Sequence, residues 1–337
     1  MASGYKVAVV GSSDALGNEL ISILEERNFP VSELRALDSK GSVGDYVQFQ
    51  GDDVGVEELE EGSFQGIEIV FFAAGDAISR QYVPLAVKHG CTVIDNSSHF
   101  ILDKDVPLVV PEVNAHKIKG HSGIITNPSC TTIQLAVALY PIHKAVRIKR
   151  IVVSTYQAIS DNGKKAMDEL TNQIKDLFNF RDPTVQVYPH QIAFNAIPHI
   201  DEFLKNDYTT QEMKIADETK KILEDDSIRI CATTVRIPVF YGNCAAINIE
   251  SERKISPDEA RNILRSTPGV QVVDDPSHNM YPLPINTAGM DDCFVGRIRE
   301  DISIENGLVM WIVSDNIRKG AALNAVQIAE HLIAGNE

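Results

Sequence analysis

The run Tyr5-Lys6-Val7-Ala8-Val9-Val10 carries four consecutive apolar residues after its lysine and shows no alternation of polar and apolar positions. A strand of this kind must be covered on both faces, which parallel sheets flanked by helices provide. Gly11-Ser12-Ser13-Asp14-Ala15-Leu16-Gly17 then turns into a segment with Leu16, Leu20, Ile23 and Leu24 at helical spacing. Strand, glycine turn and helix open a dinucleotide-binding unit. Further strands are predicted over 34–37, 67–73 and 91–95, with a helix over 79–89 between the last two. The expectation is a Rossmann-type α/β fold with a doubly wound parallel sheet.

A second centre of organisation is Ile124-Ile125-Thr126-Asn127-Pro128-Ser129-Cys130, followed by Ile133, Leu135, Ala136, Val137 and Leu139 at helical spacing. Asn-Pro stops a strand, so Cys130 is predicted at the N-terminus of a helix. The unpaired N–H groups there favour thiolate over thiol and make Cys130 a candidate nucleophile. Beyond it the pattern changes. Strands are predicted over 147–157, 229–240, 245–250, 271–273, 293–299 and 309–314, with a helix over 164–178, as an α+β domain on a mostly antiparallel or mixed sheet. An apolar helix over 319–333 is suited to docking back on the first domain. The predicted division is 1–129 with 319–337, and 130–318, with a polar patch over 274–279.

A net charge of -16 argues against nucleic-acid or anionic-membrane binding, since no excess of Lys and Arg is available for phosphates. The five cysteines lack C-x-x-C spacing, so neither a disulfide framework nor a zinc site is indicated and a reducing cytoplasm fits. No apolar run reaches a membrane span of roughly 18 residues, and no signal peptide precedes the first strand.

Several runs match one family in order. They include Glu25-Glu26-Arg27-Asn28-Phe29-Pro30-Val31, Asp95-Asn96-Ser97-Ser98, Val106-Pro107-Leu108-Val109-Val110-Pro111-Glu112-Val113-Asn114, Ser154-Thr155-Tyr156-Gln157-Ala158, Ile197-Pro198-His199-Ile200-Asp201 and Asp315-Asn316-Ile317-Arg318-Lys319-Gly320. With these the chain resembles bacterial aspartate-semialdehyde dehydrogenases from end to end. The resemblance implies a homodimer built through an α+β dimerisation and catalytic domain, with NADP as cofactor. It also implies a cysteine that attacks β-aspartyl phosphate and forms a thioester, which is then reduced to the aldehyde. Cys130 and Gln157 match the nucleophile and its partner, and Lys214 and Arg236 match basic substrate positions. Gly11, Ser12, Ser13, Asp14, Ala15, Leu16, Ser39, Gly75 and Asn316 match cofactor positions.

The chain also departs from the family pattern. Gly242-Asn243-Cys244-Ala245 stands where the family reads Gly-His-Ser-Glu, which places Asn243 at the family's acid–base histidine. Asparagine hydrogen-bonds but carries no proton between pH 5 and 8. Ile101 replaces an arginine that holds a substrate anion, with His99 close by in sequence. Ser129 replaces an asparagine, Gln211 an acid, Gly41 an arginine and Asp45 a lysine. Asp14, Asp76 and Asp161 replace small residues on what the resemblance gives as the cofactor side. A carboxylate about 5 Å from a pyrophosphate, at an effective dielectric near 20, costs about 3 kcal/mol, or about two decades of affinity. The resulting expectation is a diverged family member with lost or reduced reductase chemistry. The alternatives are an active NADP-dependent dehydrogenase, or a Cys130 thioester enzyme acting on another small acyl or amino-acid ligand.

Overall fold

In the computed structural model of the chain, which describes residues 4–335, the opening apolar run is the strand β1 (Tyr5–Val10). It is joined by β2 (Val31–Asp38), β3 (Tyr46–Phe49), β4 (Asp52–Glu58), β5 (Ile69–Phe72), β6 (Thr92–Asp95) and β7 (Ile124–Thr126) in one sheet of order β3-β4-β2-β1-β5-β6-β7. All neighbours are parallel except the antiparallel pair β3/β4. Alternate residues of β1 and β5 enter opposite cores. Val7, Val9, Ile69 and Phe71 pack with α1 (Ala15–Glu26) and the C-terminal helix Leu323–Ala334. Ala8, Val10, Val70 and Phe72 pack with Val83 and Ala86 of α2 (Asp76–Lys88). Helices therefore cover both faces, which is why β1 tolerates no polar face.

The hairpin β3/β4 was not foreseen. Its second strand holds Asp52, Asp53, Glu57 and Glu58, residues with poor strand preference. The turn does carry a signal: Gln50 (φ 52°) and Gly51 (φ 85°) are both left-handed, as a two-residue hairpin connection requires.

The chain divides into two compact units, Met1–Ser129 with Ala321–Glu337, and Cys130–Gly320. The second unit holds β8 (Ile148–Gln157), β9 (Arg229–Arg236), β10 (Asn243–Ser251), β11 (Val270–Val272), β12 (Cys293–Glu300) and β13 (Gly307–Ser314) in the order β11-β12-β13-β10-β8-β9. Pairs β8/β9 and β11/β12 are parallel and the rest antiparallel, so the sheet is mixed. The long helix Cys130–Val146 is buried along most of its length in this unit.

Two expectations need correction. Strand β9 stops at Arg236 rather than 240, since Pro238 has no N–H to give a ladder. The polar patch at 274–279 is no linker at its start. The Asp274 side chain is fully buried, pairs with Arg261 Nε at 2.7 Å and accepts from the Arg297 and Ile298 backbone N–H groups. Buried charge survives there because it is paired and hydrogen-bonded.

Candidate active site

Cys130 is the first residue of its helix, as the Asn-Pro stop dictates, and its side chain is half-buried. Gly320 approaches it closely, and a Cβ there would lie 2.8 Å from Cys130 Cβ, against the 3.4 Å of ordinary contact. The ends of three strands supply the other groups. Arg236 closes β9, Asn243 opens β10, and the turn Ile159–Asn162 after β8 carries Asp161.

Asn243 is oriented by its own side chain. Its Oδ1 accepts from the Ala158 N–H at 2.7 Å, which turns Nδ2 toward Cys130 Sγ (3.1 Å) and Asp161 Oδ2 (3.3 Å). Arg236, 3% exposed, donates from Nη1 to Asp161 Oδ2 at 2.8 Å and to the Ala158 carbonyl. Asn316 accepts from the Gly242 N–H at 2.9 Å and donates to Ser160 Oγ (2.9 Å) and Asp161 Oδ1 (2.7 Å). Asp161 Oδ1 lies 3.7 Å from Cys130 Sγ and accepts its hydrogen bond. The cluster thus joins a thiol, a carboxylate, a guanidinium and two amides.

The protonation of Cys130 runs opposite to the helix-terminus argument. Burial pushes the thiol well above its ordinary range and the Asp161 carboxylate adds to the rise; Thr131 and Arg236 oppose it and do not cancel it. Desolvation and a contacting anion outweigh a fraction of a charge at a helix end. The resting group is a thiol.

Asp161 therefore stands with the cysteine, and Asn316 braces it. Sequence order could not reveal this, because the 3.7 Å contact spans 31 residues. Gln157 lies beside Arg236 in the β8/β9 register, and its amide donates to Thr155 Oγ1 at 3.2 Å. Lys214 lies on the helix Thr210–Leu223, with Nζ 3.8 Å from Asp201 Oδ2. Ile101 is buried in the first unit, where the His99 ring meets Phe100 edge-on at 4.5 Å.

The turn Gly11–Leu16 fits a dinucleotide phosphate in several respects. Gly11 has φ +83°, and a Cβ on Gly17 would lie 2.1 Å from the Gly11 carbonyl oxygen, so helix and turn touch backbone to backbone. Ser12 Oγ and Ser13 Oγ are buried without hydrogen-bond partners, as acceptor-seeking groups in a phosphate cradle would be. Ser13 N–H and Ser39 N–H both donate to Asp38, at 2.9 and 2.6 Å. Gly75 (φ +80°) precedes α2, and Asp76 Oδ1 accepts from the Ser98 N–H at 2.8 Å, so that carboxylate has a partner inside the unit. Asp14 is exposed at the start of α1 and its side chain caps nothing.

Comparison with known proteins adds the following. Residues 6–121 match the family described as semialdehyde dehydrogenase, NAD binding domain, and residues 139–319 match semialdehyde dehydrogenase, dimerisation domain. The chain is 52% identical to the aspartate-semialdehyde dehydrogenase of Aquifex aeolicus, over 98% of both chains. It is 51% identical to that of Legionella pneumophila, over 98% of this chain and 96% of the other. The crystal structure of aspartate semialdehyde dehydrogenase II complexed with ASA from Vibrio cholerae superposes with a TM-score of 0.96 at 43% identity, over 99% of each chain. Among the described residues no helix is long and apolar enough to cross a membrane, and no cluster of His, Cys, Asp and Glu could hold a metal ion.

Proposed function

Because the chain belongs to the aspartate-semialdehyde dehydrogenase family, we propose that it converts β-aspartyl phosphate to aspartate semialdehyde through a thioester on Cys130. One observation carries this reading: a half-buried cysteine at a helix start, with an amide N–H aimed at its sulfur 3.1 Å away. Such a donor stabilises negative charge on sulfur as it attacks and again as it departs. Arg236 provides positive charge beside the sulfur through its pair with Asp161, and Gln157 and Lys214 extend the polar lining. The reduced cofactor, NADPH, would supply hydride when bound, and Ser12 and Ser13 in the Gly11–Leu16 turn, with Ser39 and Gly75, would hold it. The protein works as a cytosolic homodimer through its second unit.

The test is phosphate-dependent NADP reduction with aspartate semialdehyde, together with intact-mass detection of the acyl adduct left on the protein by β-aspartyl phosphate. The wild type should turn over, and Cys130→Ser should lose both signals. Turnover that survives Cys130→Ser would refute the assignment.

A second reading, lost or much reduced reductase chemistry, is favoured by Asn243 at the family histidine's position and by Arg236 already paired with Asp161. Acylation by β-aspartyl phosphate without NADP reduction supports a thioester enzyme that has lost hydride transfer, and acylation by other acyl phosphates alone supports another acyl donor. Neither signal supports a non-catalytic partner.

A further inference from the structure

Cys130 is a thiol at rest, so its attack on any acyl group needs a base to remove the proton. Among the described residues, Asp161 is the ionisable acceptor in hydrogen-bond contact with Sγ, at 3.7 Å from Oδ1. Asn243 cannot serve, because Nδ2 donates to the sulfur and Oδ1 is taken by the Ala158 N–H. The carboxylate is also held from several sides, by Arg236 and Asn243 on Oδ2 and by Asn316 on Oδ1. Its side chain is 16% exposed, and that exposure leaves it a route for exchanging the proton with solvent between turnovers. We infer that Asp161 is the acid–base residue of this site, exchanging the Cys130 proton through Oδ1.

The step balances within the chain and the substrate. As the sulfur–carbon bond forms, the S–H bond breaks and its proton passes to Oδ1, while the carbonyl π pair moves to oxygen. That pair then returns, the bond to phosphate breaks and the thioester remains, with Asp161 protonated. When the sulfur–carbon bond is later broken, sulfur leaves with the electron pair and recovers the proton from Asp161. Proton removal becomes easier as sulfur bonds to carbon, so a carboxylate in contact with the sulfur can act within a concerted step. Asn243 and Arg236 act through Asp161 and the sulfur: one holds charge on sulfur, the other keeps the carboxylate aimed.

This inference rests on the Cys130 thioester reading above. The test uses full-length wild type, Asp161→Asn and Asp161→Glu, with two readouts. The first is the rate of Cys130 acylation by β-aspartyl phosphate, followed by intact mass. The second is the rate of iodoacetamide alkylation of Cys130 against pH, which reports pre-formed thiolate and needs no base. Asp161→Asn should slow acylation by about 10²-fold. It should also speed alkylation at neutral pH by about tenfold, because removing the anion lets the thiol ionise at lower pH. Asp161→Glu should recover part of the acylation rate. A merely structural role would move both rates the same way. Equal acylation by wild type and Asp161→Asn overturns the role of Asp161 and leaves the thioester reading intact. Absence of acylation in the wild type overturns that reading, and the role of Asp161 with it.

Discussion

Substituting Gly17 by alanine tests the packing on which the dinucleotide-type turn depends. The added Cβ would lie 2.1 Å from the Gly11 oxygen, 2.7 Å from Ser12 Cα and 2.8 Å from the Gly11 carbonyl carbon. All three atoms are backbone, so no side chain can swing away. Ordinary contact starts at 3.4 Å, and the start of α1 must therefore retreat by about 1.3 Å. Leu20, Ile21, Ile23 and Leu24 of the same helix are buried in the core and resist that movement. Overpacking of this kind costs about 3 kcal/mol, whereas Gly→Ala in a helix gains at most about 1 kcal/mol. The net loss is about 2 kcal/mol, which at this chain length lowers Tm by about 3 °C. Circular dichroism melts measure the loss, and hydrogen exchange of the Ala15–Glu26 amides locates it. Gly62→Ala is the control, since nothing lies within 4 Å of its Cβ position, and it should leave Tm unchanged. An unchanged or raised Tm for Gly17→Ala would refute the close approach of helix and turn.

Two further outcomes follow from charge placement. Asp14→Asn should tighten NADPH binding by about fourfold, because an exposed carboxylate about 5 Å from a phosphate is screened almost as in water. Nicotinamide fluorescence titrations at low and high salt check this, with the gain shrinking as salt rises; a gain of about a hundredfold would refute it. Asp301 accepts from Ser303 N–H (2.9 Å), Ser303 Oγ (2.6 Å) and Asn248 Nδ2 (2.9 Å), which hold its carboxyl below the usual carboxylate range. A depressed folded-state value means that Asp301 stabilises above the unfolded value near 4, and that this stabilisation fades as pH falls through the folded value. Asp301→Asn should therefore cost about 1–2 kcal/mol at pH 7 and progressively less in acid, as urea titrations at several pH values would show. A penalty that does not change with pH would count against ionic hydrogen bonding at this carboxylate.

Local pattern carried the fold a long way. The apolar run of β1 has both faces buried, and the Asn-Pro stop puts Cys130 at the first residue of its helix. What escaped was non-local. The β3/β4 hairpin has acidic residues that no strand preference favours. Asp274 looks like loop surface until Arg261 and two N–H groups enclose it. The protonation of Cys130 was read in the wrong direction because a helix terminus is visible in sequence, while burial and a carboxylate 31 positions away are not.

The same limit governs the carboxylates Asp14, Asp76 and Asp161. In sequence Asp14, Asp76 and Asp161 are equal, and their count argues against a bound phosphate. In the structure each has a different setting. Asp76 accepts a backbone N–H from Ser98, which offsets its charge within its own unit. Asp161 is neutralised by Arg236 and stands against Cys130, where its charge acts on a thiol. Asp14 alone among the three stays at the Gly11–Leu16 turn, and it stays there in solvent. At the Gly11–Leu16 turn itself the electrostatic case against cofactor binding therefore rests on one screened charge, beside two buried serine hydroxyls that have no other acceptor. An affinity loss of about fourfold is small against the range that dinucleotide sites span, whereas an anion touching the nucleophile changes how that nucleophile must be activated. The carboxylate that matters most for chemistry is therefore the one at the sulfur.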